Sequence, residues 1–209
     1  MPISIGQKIH EGVKLQATLA LVNRSFKGCV ILIDDIIQRH TMQIENKNVS
    51  LEELLRISEE EGDDWIKRNT LLLEVLDIPY KIIRWRKWLF HPDFPQKKQI
   101  ITQLYQEDAE FKKAMNEGII NFLDRYKKRN DDLSSFDEDH AFTCCLNYLI
   151  EECSCMCLWP EEMCEYELYP SGRNPAMIAT YERLIKPEYP GLLISVALYF
   201  KKSSREVMA

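Results

Sequence analysis

Gly28-Cys29-Val30-Ile31-Leu32-Ile33-Asp34 is the stretch that decides the fold of this chain. Its five central residues are apolar and mostly β-branched or bulky, and a glycine and an aspartate bound them, so Cys29–Ile33 reads as a short strand. Before it, Glu11–Phe26 carries Val13, Ala17, Ala20 and Leu21 on one helical face and stops at Gly28. Four further stretches have the same strand character: Met1–Ile5, Tyr80–Trp85, Glu165–Tyr169 and Leu193–Phe200. Helical patterns lie between them: Leu51–Leu76, expected to break near Gly62, then Gln96–Tyr105, Glu107–Arg129, Asp137–Cys157 and Pro175–Ile185. Strands alternating with helices imply parallel βαβ units joined by right-handed crossovers. The expectation is an α/β fold, a doubly wound parallel sheet of about five strands.

Nothing in the composition divides the chain. Its 209 residues are 45% hydrophobic and 29% charged, an ordinary globular balance for one domain spanning 1–209. Prolines punctuate the last third without marking a linker, and Lys127–Ser135 reads as a mobile surface loop. No stretch is judged long and apolar enough to span a bilayer, and no signal peptide is read at the start, so the expected compartment is the cytoplasm. Seven cysteines form no CxxC pair, and four scattered histidines show no HxxxH or HExxH spacing. Reduced thiols and no metal are expected. A net charge of −6 argues against indiscriminate nucleic-acid binding. No sustained heptad calls for a partner subunit, so a monomer is expected.

Chemistry is suggested by four side chains in three places. Tyr148 and Glu152 stand at i and i+4, so a phenol and a carboxylate share one face of an otherwise apolar helix and can converge on a small cation. No Lys or Arg between His140 and Pro170 offers Glu152 a local partner. Ser4 lies near the carboxyl end of the first strand, where Gly6 allows a close turn, and ligands of doubly wound sheets sit at such ends. Tyr169-Pro170 closes the fourth strand over the same crevice. The chain has no GxGxxG, GxxxxGK[ST] or GxSxG motif.

This ordered set resembles the tRNA-dependent cyclodipeptide synthases. Ile3-Ser4-Ile5-Gly6 is similar to the family's nucleophile segment, Val30–Asp34 to its second strand, Glu107–Phe111 to the start of one of its helices, and Leu146–Glu152 to the helix carrying its Tyr and Glu. Tyr169-Pro170, with Gln7 where another branch has Asn, resembles the branch marked by Tyr-Pro. The resemblance implies a Rossmann-like fold similar to the catalytic domain of class Ic aminoacyl-tRNA synthetases. It implies catalytic roles for Ser4, Tyr148, Glu152 and Tyr169, substrate contacts from Gly6, Gln7 and Pro170, two aminoacyl-tRNAs as substrates, and no cofactor. Ser4 would take the first aminoacyl group as an ester, Tyr148 and Glu152 would hold its α-ammonium, and Tyr169 would assist proton transfer as a dipeptide closes to a diketopiperazine.

Two features depart from the pattern. Only Met1, Pro2 and Ile3 precede Ser4, so the first strand reads as shortened, and Pro2 stands where a relative often has Gly. The helix that is strongly basic in some relatives is acidic here, offering Arg56, Lys67 and Arg68. Phosphate contacts are therefore expected from Lys67, Arg68, Arg84, Arg86 and Lys87, with Trp85 and Trp88 either stacking on bases or serving as core residues. Cys155, Met156 and Cys157 are expected in the wall of the side-chain pocket. A non-catalytic module that binds aminoacyl-tRNA or a small amine is the alternative, and a serine hydrolase lacks its histidine.

Overall fold

The structure is a computed structural model that describes residues 1–130, 134, 136–170, 172–198 and 200. In chain order it contains β1 (Pro2–Ser4), α1 (Gly12–Ser25), β2 (Cys29–Asp34), α2 (Arg39–Met42), α3 (Leu51–Leu73), β3 (Tyr80–Arg84), α4 (Arg86–Leu89), α5 (Phe94–Glu107), α6 (Ala109–Arg129), α7 (Glu138–Met156), β4 (Tyr166–Tyr169), α8 (Pro175–Thr180) and β5 (Ile194–Ala197). Each expected strand is found, four of them shortened and β2 one residue longer, to Asp34. Side-chain caps fix four helix starts. Ser50, Asp108, Asp137 and Asn174 accept from the backbone N–H three residues on, at 3.1, 2.8, 3.0 and 2.9 Å. Each such cap is worth about 1 kcal/mol.

All strand pairs are parallel. β2 is the centre of a three-stranded ladder, pairing with β1 (Ile3 opposite Ile33) and with β3 (Ile31 opposite Ile82). β4 pairs with β5 in a second ladder and lies beside β1, giving the spatial order 3-2-1-4-5. Chain order therefore reverses between β1 and β4, and their carboxyl ends, Ser4 and Tyr169, face the crevice there.

The expected single sheet is interrupted at that same place, for a local reason. The Met1 carbonyl accepts from the Leu32 N–H at 3.0 Å, so residue 1 bonds toward β2 and residues 2 and 4 turn their polar backbone toward β4. Pro2 has no N–H to give. Ser4 donates its N–H to Nδ1 of His10 at 2.9 Å. β1 therefore has no donor left for β4, and the two ladders meet through side chains.

Helices cover both faces. Ile31 and Ile33 pack with Ile3, Leu15, Leu19 and Trp65 beneath α1 and α3. Leu32 packs with Trp88, Phe111, Met115 and Leu149 beneath α5, α6 and α7. Four expectations are corrected. Helix α1 buries Leu15, Thr18, Leu19 and Val22, whereas Val13 is 80% exposed. α3 does not break at Gly62. A Cβ there would come within 2.7 Å of Arg84 Nη2 and 2.8 Å of Asp35 Oδ2, so the glycine lets an intact helix lie against an ion pair. Lys127–Arg129 belong to the last turn of α6, and residues 131–133 and 135 lie outside the described residues. Residues Glu138–Glu162 do reach the length and mean hydropathy, 1.2, of a membrane span, but the protein buries 67% of an 18-residue stretch within it. The segment serves as the central core helix.

Candidate active site

The cleft at the β1–β4 switch point has a volume of about 210 Å³. Its floor carries the nucleophile candidate. Ser4 Oγ stands 3.0 Å from the Tyr169 hydroxyl and 3.3 Å from Asp34 Oδ2, to which it donates. Gly6 adopts φ +79°, a left-handed conformation that favours glycine, and the Gln7 N–H closes the turn on the Ser4 carbonyl at 3.3 Å. His10, 2% exposed, holds the Ser4 backbone through Nδ1 and sets its ring edge-on to Tyr169, with centroids 5.4 Å apart. Burial lowers the His10 pKa to about 4, so at neutral pH the ring is an uncharged support.

The wall opposite comes from α7. Tyr148 and Glu152 both line the cleft, as the i, i+4 spacing requires. Glu152 Oε2 accepts from Asn174 Nδ2 at 3.0 Å, and that asparagine also caps α8. Burial raises the Glu152 pKa to about 7, and the Glu167 charge adds to the rise against the hydrogen bonds from Asn174 and Tyr148. Asp34, 5% exposed, is pushed well above the usual carboxylate range by burial, then by the charges of Glu152 and Asp35. Tyr148 is likewise held well above an ordinary phenol, first by burial and then by Glu152 and Asp34. No Lys or Arg is seen bonding Glu152 or Asp34 among the described residues. The cleft gathers buried acids with no cation bonded to them among the described residues.

Ser4, Tyr148, Glu152, Tyr169 and Gln7 thus share one cavity. Pro170 is buried and does not line it. Cys155, Met156 and Cys157 also lie off the cleft, on α7's core-facing side. Ile119, Phe122, Cys145, Leu149 and Met177 supply the apolar wall, and exposed Arg125 is a cation at its rim.

The basic residues expected for phosphate contact stand elsewhere, mostly paired. Arg84 is bound to Asp35 and Asp63, Arg86 to Glu59, Lys87 to Glu162 and Arg68 to Glu11, while Lys67 is exposed. Trp85 and Trp88 are each 1% exposed, so stacking on bases is excluded and the core reading holds. Among the described residues one group, His91, Asp93 and Glu161, brings potential metal ligands within 4.8 Å, and none of the three lines the cleft.

Sequence reasoning missed Asp34, His10 and Asn174. Asp34 closes a strand, His10 follows a glycine turn, and Asn174 shows only the capping signal before Pro175.

Several solved structures share this fold. A CDPS from Fluoribacter dumoffii is 47% identical, with 97% of this chain and 89% of that one covered and a TM-score of 0.91. A cyclodipeptide synthase from Candidatus Glomeribacter gigasporarum bound to Phe-tRNAPhe is 20% identical, with coverages of 98% and 88% and a TM-score of 0.76. AlbC, a cyclodipeptide synthase from Streptomyces noursei, is 16% identical, with coverages of 95% and 93% and a TM-score of 0.64. The last two likenesses bear on the fold alone. No family model and no curated protein matches the chain. A relative nearly half identical along almost the whole chain settles the class, and the protein belongs to the cyclodipeptide synthases, transferases that act on aminoacyl-tRNA.

Proposed function

We propose that this synthase joins two aminoacyl groups by a ping-pong route through Ser4. Ser4 Oγ attacks the ester carbonyl of a first aminoacyl-tRNA, and the tRNA 3′-hydroxyl leaves with the proton. The seryl-bound amino group then attacks the ester of a second aminoacyl-tRNA, whose 3′-hydroxyl leaves with the amine's proton, giving a dipeptidyl-enzyme. Its free amine attacks the seryl ester, closing a diketopiperazine and restoring the hydroxyl. One ester replaces another in the first step, so the aminoacyl group arrives already activated. The protein's task is orientation, which can account for about 7–11 kcal/mol of a barrier.

The observation that carries this reading is the pairing of a serine hydroxyl, 3.0 Å from a phenol and 3.3 Å from a carboxylate, with buried acids that no cation bonds among the described residues. An α-ammonium supplies the missing charge, and charge-assisted hydrogen bonds are about twice as strong as neutral ones. The same ammonium must lose a proton before it attacks. A Glu152 pKa of about 7 suits a group that holds the cation and then accepts its proton. Asp34 and Tyr169 are the two groups placed to take the Ser4 proton and return it at ring closure.

The Tyr169-Pro170 dipeptide and Gln7 support placement in the Tyr-Pro branch. Lys67, Arg68, Arg86 and Lys87 remain the proposed phosphate contacts, the paired ones exchanging a carboxylate for a phosphate, with Arg84 fixing α3 beneath them. We further propose that the enzyme works as a single domain and a monomer, without metal or membrane, in the cytoplasm where charged tRNAs are found.

Expression in a bacterial host followed by mass spectrometry of the medium tests the reading. Diketopiperazines are expected from the parent and none from Ser4→Ala. Product persisting in that variant would remove Ser4 as nucleophile.

A further inference from the structure

Behind the cleft lies a second, smaller cavity of about 40 Å³, and Pro2 and Trp159 line both. Strand periodicity explains the adjacency. Residues two apart on a strand share a face. Pro2 therefore sits one step below Ser4 on β1, and Glu167 one step below Tyr169 on β4. A group attached to Ser4 that extends down this seam passes Pro2 and meets Glu167.

Most of the wall is apolar, with Leu32, Ile83 and Leu193 among its residues. Three wall residues nevertheless carry buried polar atoms without a partner among the described residues: Nε1 of Trp88, Nε1 of Trp159 and Oε1 of Glu167. Their residues are 1%, 6% and 2% exposed. An unsatisfied buried group costs about 1–3 kcal/mol, so three around one cavity form a set that something else completes. The other Glu167 oxygen is already engaged, since Arg173 Nε donates to Oε2 at 2.7 Å from a side chain 4% exposed. A second cation is therefore not required. What the walls lack is one donor for Glu167 and two acceptors for the indoles.

A hydroxyl supplies that set, with one O–H and two lone pairs. A carboxamide has the same types of group but is larger, and a site for one water takes about 10–15 Å³ on this scale, so the cavity suits a hydroxymethyl-sized group. We infer that this cavity receives the side chain of the aminoacyl group on Ser4 and selects a small hydroxyl-bearing one, Glu167, Trp88 and Trp159 being the specificity-determining residues. The inference rests on Ser4 as the acyl carrier.

Purified enzyme is mixed with tRNA charged separately with serine, threonine, alanine or valine, quenched in acid and weighed intact, and the cyclic products are identified. Serine over alanine, or threonine over valine, is expected by at least about a hundredfold, because a site built for a hydroxyl rejects the analogue lacking it. Trp88→Phe and Trp159→Phe keep a ring in the core and remove one donor each. Each should shift the preference about tenfold toward the apolar analogue. Equal acylation by alanine and serine, or an unchanged preference in both active variants, would overturn the inference while leaving Ser4 acylation standing. No adduct with any of the four, but one with other charged tRNAs, would overturn the hydroxyl selection alone. No adduct with any charged tRNA would overturn the Ser4 reading and this inference together.

Discussion

On one side of α7, Glu151 is 3% exposed and meets Arg39, His40 and the Trp85 indole, with Arg39 Nη1 and Trp85 Nε1 at 2.9 and 3.0 Å from Oε1. On the adjoining side, Glu152 faces the cleft with an asparagine and a phenol. Burial acts on both and would raise both. At Glu151 the hydrogen bonds of His40 and Arg39 outweigh it and hold the pKa down to about 2. At Glu152 nothing of that strength opposes it, and the pKa stands at about 7. Two identical side chains, adjacent in sequence, differ because one has its cations inside the protein and the other leaves the place open. The first ties α7 to α2. The second keeps a binding site unfilled at some cost to stability.

The largest expected effect breaks the compensated side. Glu151→Gln leaves Arg39 buried without its carboxylate, which should destabilise the fold by about 3–5 kcal/mol in denaturant titration. A loss under 1 kcal/mol would mean that the network contributes little. Glu152→Ala should lower the rate of diketopiperazine formation by at least about a hundredfold, or about 2.7 kcal/mol of transition-state stabilisation. Activity near that of the parent would deny it the ammonium.

Stability against pH sharpens the contrast, because the signs are opposite. Glu152 has a folded pKa of about 7 against an ordinary 4.5, so the folded state keeps its proton longer. Its effect is to lower stability as pH rises from about 4.5 to about 7. Glu151, at about 2 against 4.5, contributes stability that is fully present above about 4.5 and is lost as pH falls toward 2. Glu152→Gln should therefore be more stable than the parent at pH 8, by about 1 kcal/mol or about 2–4 °C in Tm. That gain should vanish near pH 4. A variant less stable at pH 8 would contradict the open-site account.

The smallest effect concerns the one hydrogen bond Glu152 has from α8. Asn174→Asp keeps the helix cap and removes the amide donor, and it adds a like charge. The acidic limb of the pH–rate profile should move up by about 1 unit. An unmoved limb would separate Glu152 from that ionisation.

Much of this was legible in the chain. Cys29–Ile33 and the stretches like it gave the parallel α/β plan, and the i, i+4 rule placed Tyr148 beside Glu152. Ser4 and Tyr169 were readable because strand ends at a switch point face one crevice. What stayed hidden depends on contacts between distant segments. Asp34 meets Ser4 across 30 positions and Asn174 meets Glu152 across 22. The sequence leaves the inward face of α1 ambiguous, because Val13, Ala17, Ala20 and Leu21 and the true face, Leu15, Leu19 and Val22, satisfy helical spacing equally. Gly62 signals a break by propensity, but here the lack of a side chain matters for the ion pair it touches. The seam between β1 and β4 could not be foreseen without knowing that His10 takes the Ser4 N–H.

That seam has a mechanical consequence. Because a proline and a diverted amide leave β1 without a donor for β4, the pair β4–β5 can part from its neighbour without rupturing any rung of the β1–β2–β3 ladder. Slow deuterium uptake in β2 can therefore coexist with faster uptake in β4.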